Sequence, residues 1–187
     1  MNYENSDTAN LPGRNPGSNP KLGIYPPHFG TYIKWVQEDT IITALGNQLP
    51  KAEKFFSSIT EDQSLYQYAE GKWTIKEVLQ HIIDAERIFS YRALAIARKD
   101  KNVLPSFDEN EYAANAHANN RNWKEMIEEF VAVRKTTEIL YHSFTEEDLK
   151  TSGRASDYEI TVLALGYTTV GHASHHINII RERYLSV

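Results

Sequence analysis

Apolar side chains recur along most of this chain at intervals of three and four, the period of a helix with one buried face. The clearest stretch opens at Thr74-Ile75-Lys76-Glu77, where Thr74 and Glu77 form a capping box. Ile75, Val78, Leu79, Ile82, Phe89, Ala93 and Ile96 follow at helical spacing and predict a helix to about Lys99. Asn122 caps a second pattern: Met126, Ile127, Phe130, Val133, Thr137 and Leu140. A third starts near Thr161 and runs to about Tyr184, with Val162, Leu165, Ile179 and Ile180 inward. Ahead of these, a helix is expected from near Thr31, burying Tyr32, Trp35, Val36, Ile42 and Leu45. Gly46 and Pro50 are expected to break or kink it before a further turn or two through Phe55 and Phe56. Short helical turns are expected after Asp108 and over Thr145 to Asp148, and no alternating strand pattern with hairpin turns is visible. The expectation is an all-α fold, a four-helix bundle with short extra helices in the connections. Residues 1–20, rich in Asn, Pro, Gly and Ser, read as a flexible tail, leaving 21–187 as the bundle domain.

Composition narrows the chemistry. There is no cysteine, so disulfides, thiolate metal ligands and a cysteine nucleophile are excluded. Any transition metal must be held by histidine and carboxylate. The net charge of −5, with no basic stripe, opposes direct contact with nucleic acid. No apolar run approaches the roughly 18 residues of a membrane span. The start of the chain lacks a charged-then-apolar signal pattern, so a cytoplasmic protein is expected.

Three of the seven histidines fall within five positions, in GHASHHINIIRERY from Gly171 to Tyr184. His172 and His176 are four apart, on one helical face and in line with Ile179 and Ile180. Such a pair can hold a metal ion or can be hydrogen-bonded core residues. His175 is turned about 100° away, toward an edge or solvent. His81 borders the apolar face of the capping-box helix, where a polar ring needs a partner. A metal shared by His81, His172 and His176 would satisfy all three rings and leave a fourth position open. His28, His117 and His142 read as ordinary surface or cap residues. Asp84 reads as a solvated charge or a second partner for a histidine, and Glu86 as a carboxylate buried with Arg87, Arg92 or an arginine of the last helix. Arg181 and Arg183 could complement the helix dipole or hold a substrate carboxylate, Tyr91 and Tyr167 could line a pocket or simply pack, and Trp73 has a structural role.

The segment AEGKWTIKEVLQHIIDAERIFSYRALAIAR, from Ala69 to Arg98, together with GHASHHINIIRERY resembles the DinB/YfiT-like superfamily of metal-dependent enzymes. The shared pattern is Lys-Trp-Thr/Ser-Ile-Lys-Glu-Val-Leu-x-His on one helix and Gly-His-x-x-His-His on the last. The resemblance covers about residues 22–187. It implies an up-down-down-up bundle, often a homodimer, with metal ligands at His81, His172 and His176. The implied cofactor is a divalent transition metal, Zn or Ni before Fe. Members include thiol-dependent transferases and a thiol-dependent maleylpyruvate isomerase. The implied function is therefore a metal-dependent S-transferase or isomerase acting on a small molecule. A chain without cysteine would take the thiol from an external low-molecular-weight compound. The alternative is a metal-binding bundle without turnover, structural or stress-related.

Overall fold

A computed structural model describes residues 22–185; the tail expected over 1–20 lies outside them. A 3₁₀ turn, Pro27–Phe29, leads into α1 (Gly30–Ile33). The long helices are α2 (Ile41–Ser57), α4 (Ile75–Ala97), α6 (Trp123–His142) and α8 (Val162–Ile179). Between them lie α3 (Glu61–Ser64), α5 (Glu109–Asn115) and α7 (Glu146–Lys150), and a hairpin of β1 (Ser152–Ala155) with β2 (Tyr158–Thr161). The four long helices form the bundle: α4 packs against α6 and α8, and α2 packs against the same two. Hydrogen-bonded pairs on α4 and α6 advance in the same sense, Arg87 with Glu129 and Ser90 with Thr137.

Local signals set the helix starts. The Thr74 side chain accepts the Glu77 N–H while the Glu77 carboxylate accepts the Thr74 N–H at 2.7 Å. Thr145 and Asp148 repeat this reciprocal pair at α7, and the Asn122, Thr161 and Asp108 side chains accept backbone N–H groups in the first turns of α6, α8 and α5. The first helix differs from expectation. It is two pieces, because Thr40 caps a fresh start at Ile41 by accepting the Thr43 N–H at 3.2 Å. Val36, between the pieces, is buried, but Trp35 is exposed. Pro50 does not end α2, and neither does Gly46. A proline costs a helix one hydrogen bond. Here Leu45, Leu49, Ala52, Phe55 and Phe56 are buried on both sides of it and hold the helix together.

The hairpin is the second departure. Its strands have four residues each, in register from Ser152 opposite Thr161 to Ala155 opposite Tyr158. Ser156 turns the chain at φ +56°. Ile160 is its deeply buried apolar side chain, so no alternation long enough to announce a strand exists. Leu104 adds a single parallel bridge to Ala155, tying the loop after α4 to the hairpin.

Two apolar clusters fill the bundle. One includes Leu45, Phe89, Ile96, Tyr141 and Leu165; the other includes Phe56, Leu79, Trp123, Phe130 and Ile180. Where they meet, the core is polar. Arg134, fully buried, donates from Nε and Nη2 to the two Glu86 oxygens at 2.7 and 2.8 Å. It also donates to Gln48, whose amide nitrogen donates to the Val170 carbonyl at 2.6 Å and to Ser174 Oγ at 2.5 Å. The arginine that neutralises Glu86 thus comes from α6, not from α4 or the last helix. Val170 and Ser174 flank His172, so the polar layer supports α8 where the histidines stand.

Candidate metal centre

Helix α4 turns His81, Ala85, Phe89 and Arg92 toward one cavity of about 520 Å³. The spacing of four, four and three keeps them on one face. Helix α8 turns His172, His175, His176 and Ile179 toward the same space. Much of the remaining wall comes from outside the long helices: residues within 26–32, 106–109 and 155–158 all contribute.

Gly171 permits the closest approach. A Cβ there would lie 2.2 Å from the Tyr32 carbonyl oxygen, so only a glycine lets α1 rest against α8 at this level. The Tyr32 ring thereby meets the rings of His172 and His175 edge-on, at 5.1 and 5.4 Å between centroids. Phe89 closes on His172 from α4 at 5.8 Å, and Trp73 lies 5.1 Å from His81. Trp73, given only a structural role from the sequence, therefore walls the histidine cluster.

The three histidines converge. His172 Nε2 stands 2.9 Å from His81 Nε2 and 3.1 Å from His176 Nε2. One donor atom from each lies within 4.8 Å of the other two. Burial lowers the pKa of all three rings, to about 4 for His81 and well below the usual value for His172 and His176. Mutual repulsion among the imidazoles adds to the effect at His172 and His176. All three are therefore neutral near pH 7, the form that binds metal. A ring nitrogen carries either a proton or one lone pair. His172 Nε2 faces two other ring nitrogens and can satisfy only one of them. A cation between the three lone pairs removes that conflict. Tetrahedral bonds of 2.0–2.1 Å place ligand nitrogens about 3.3 Å apart, close to the 2.9 and 3.1 Å that separate His172 Nε2 from its two neighbours.

The other residues weighed from the sequence do not join this group. His175 packs on Tyr32 and on His176 and is not in the converging group. Asp84 accepts from Gln80 at 3.0 Å and lies 3.7 Å from Arg87, so it does not orient His81. Arg181 stacks over Phe55, while Arg183 reaches the cavity wall and donates to the Tyr68 hydroxyl at 3.4 Å. Tyr91 is on the exposed surface, and Tyr167 donates to the Glu38 carbonyl. His28, read from sequence as an ordinary surface residue, lines the cavity between Phe29 and Tyr158, and partial burial lowers its pKa. Tyr32, Arg92 and Phe107 were not foreseen as lining residues. Their positions depend on how loops fold back, for which residue spacing carries no signal.

A family model described as the DinB superfamily matches residues 45–180. The chain belongs to the DinB superfamily. Among solved structures, YfiT from Bacillus subtilis superposes on this DinB-superfamily chain with a TM-score of 0.67 at 17% sequence identity. The match covers 89% of this chain and 91% of that one. YfiT is described as a probable metal-dependent hydrolase with an unusual four-helix bundle topology. No curated protein gives a match. No helix among the described residues is long and apolar enough to cross a membrane.

Proposed function

We propose that the chain is a metal-dependent enzyme whose His81, His172 and His176 hold one divalent ion, Zn or Ni ahead of Fe, and act on a small organic molecule. The observation that carries this reading is the convergence of three neutral imidazole nitrogens on the wall of an aromatic cavity. Neither Asp84, Glu86 nor His175 joins the group, which favours an open catalytic site over a closed structural one. The bound ion would supply a positive charge that brings the pKa of a water or thiol toward neutrality. Trp73, Tyr32 and Phe89 hold the rings in place and keep bulk water from their apolar side. With water as nucleophile the enzyme is a hydrolase, the activity ascribed to YfiT. With an external thiol it is an S-transferase or an isomerase; a chain without cysteine has no thiol of its own to offer.

The test is elemental analysis of untagged protein, wild type beside His176→Ala, followed by turnover assays on a panel of activated esters and epoxides with and without added thiol. About one metal per wild-type chain, little in the variant, and metal-dependent turnover support the reading. Product release that ignores thiol selects hydrolysis; thiol-dependent consumption selects transfer. No metal in the wild type after incubation with Zn²⁺ or Ni²⁺ overturns it.

A further inference from the structure

The bundle buries three cationic side chains among the described residues, and two of them meet a carboxylate. Lys76 pairs with Glu61, and Arg134 pairs with Glu86 through two parallel bonds. Arg92 is the exception. It is 6% exposed, its Nη2 donates to the Pro105 carbonyl at 2.6 Å, and its guanidinium lies 6.0 Å from the Phe107 ring centre. That carbonyl takes one of the guanidinium's bonds but brings no negative charge. A guanidinium has five N–H donors, and a buried cation without a counter-ion is costly. Burial also lowers its pKa from the ordinary value. Glu109, the sole carboxylate among the described lining residues of the cavity, is exposed and makes no ion pair with Arg92.

Arg92 also lies where a ligand can reach it. It lines the cavity on the α4 face that carries His81, eleven positions earlier. At 1.5 Å of rise per residue the two α-carbons are about 16 Å apart along the helix. The Cα–Cβ bond of Arg92 leans toward the N-terminal end of α4, where His81 stands, while its guanidinium rests against the Pro105 carbonyl and near the Phe107 ring. Ala85 and Phe89 form the apolar floor between them. A planar fork at one end, an apolar floor and a cluster of metal-binding nitrogens at the other describe an elongated molecule with a planar anion at its far end.

We propose that Arg92 binds the carboxylate of the substrate, which is therefore a small organic acid with an apolar body lying along Ala85 and Phe89 and its reacting group at His81, His172 and His176. The orientation of the acid rests on the histidines being the reactive centre; the carboxylate contact itself does not. The probes are ω-phenylalkanoic acids, from phenylacetate to 6-phenylhexanoate, each compared with its neutral amide by calorimetry on the full chain. A charge-assisted bond in a buried site should make at least one acid bind about 10- to 100-fold more tightly than its amide. Arg92→Gln should bring that ratio close to one at unchanged metal content, and Arg92→Lys should restore part of it. His176→Ala should lose metal yet keep the preference, which separates the contact from the metal reading. The proposal is overturned if no acid outbinds its amide in the wild type, a comparison that needs no variant to fold. It is also overturned if the preference survives Arg92→Gln, or if it vanishes in His176→Ala, since the acid would then be binding the ion.

Discussion

Replacing Arg134 with methionine would remove the counter-charge of Glu86 while leaving a side chain of comparable length. Both partners are out of solvent, at 0% and 2% exposure, and they are joined by two bonds of 2.7 and 2.8 Å. Water cannot replace the arginine, so the full cost of an unpaired buried carboxylate is felt, about 3–5 kcal/mol. For a chain of this size each kcal/mol shifts the melting temperature by about 2–4 °C, so a fall of roughly 6–20 °C is expected. Loss of the bond to Gln48 adds a second effect, because Gln48 fixes Val170 and Ser174 on either side of His172. Metal affinity should therefore weaken along with stability. The assay is urea unfolding of the wild type, Arg134→Met, Glu86→Leu and the double variant, with metal affinity by chelator competition. The double variant should lose less than Arg134→Met alone, because no charge is left unpaired. A loss below about 1 kcal/mol in Arg134→Met, or losses that simply add, would refute the account of this layer.

Three further outcomes are expected. Alanine at His81, His172 or His176 should each abolish tight metal binding, while His175→Ala should retain it; equal loss in all four would show that His175 is no bystander. In chelator-treated protein, stability should fall as pH drops from 6.5 toward 4. The folded rings stay neutral there while the unfolded chain takes up protons, at up to about 1.4 kcal/mol per pH unit for each ring. His81→Ala should flatten that slope, and an identical pH profile in wild type and variant would count against the burial described. Gly171→Ala should cost about 1–3 kcal/mol or more, because its Cβ would need over an ångström of retreat by the Tyr32 carbonyl; an unchanged melting curve would mean that α1 does not press on α8.

What the sequence revealed and concealed divides by distance along the chain. Thr74, Asn122 and Thr161 announce their helices because a cap bonds within three residues of itself. His172 and His176 are legible for the same reason, one helical turn joining them. His81 could be matched to them only as an unpartnered ring on an apolar face or through the family resemblance, since 91 positions separate it from His172. The partner of Glu86 escaped notice because Arg134 is 48 positions away, and periodicity says which face is buried but not which residue lies opposite. The hairpin was hidden by its brevity, and the continuity of α2 through Pro50 by packing that outweighs one missing hydrogen bond.

Part of the cavity wall is made of connecting segments and the hairpin, whereas the histidines stand on two long helices of the bundle. That arrangement separates two kinds of evolutionary freedom. His28, Ser106 and Tyr158 line the cavity but belong to neither apolar cluster, so they can be exchanged without moving a histidine nitrogen. Changes in what the cavity admits can accumulate there while the three histidines keep their places. A library confined to His28, Ser106 and Tyr158 is therefore the economical place to redirect this scaffold toward a new substrate.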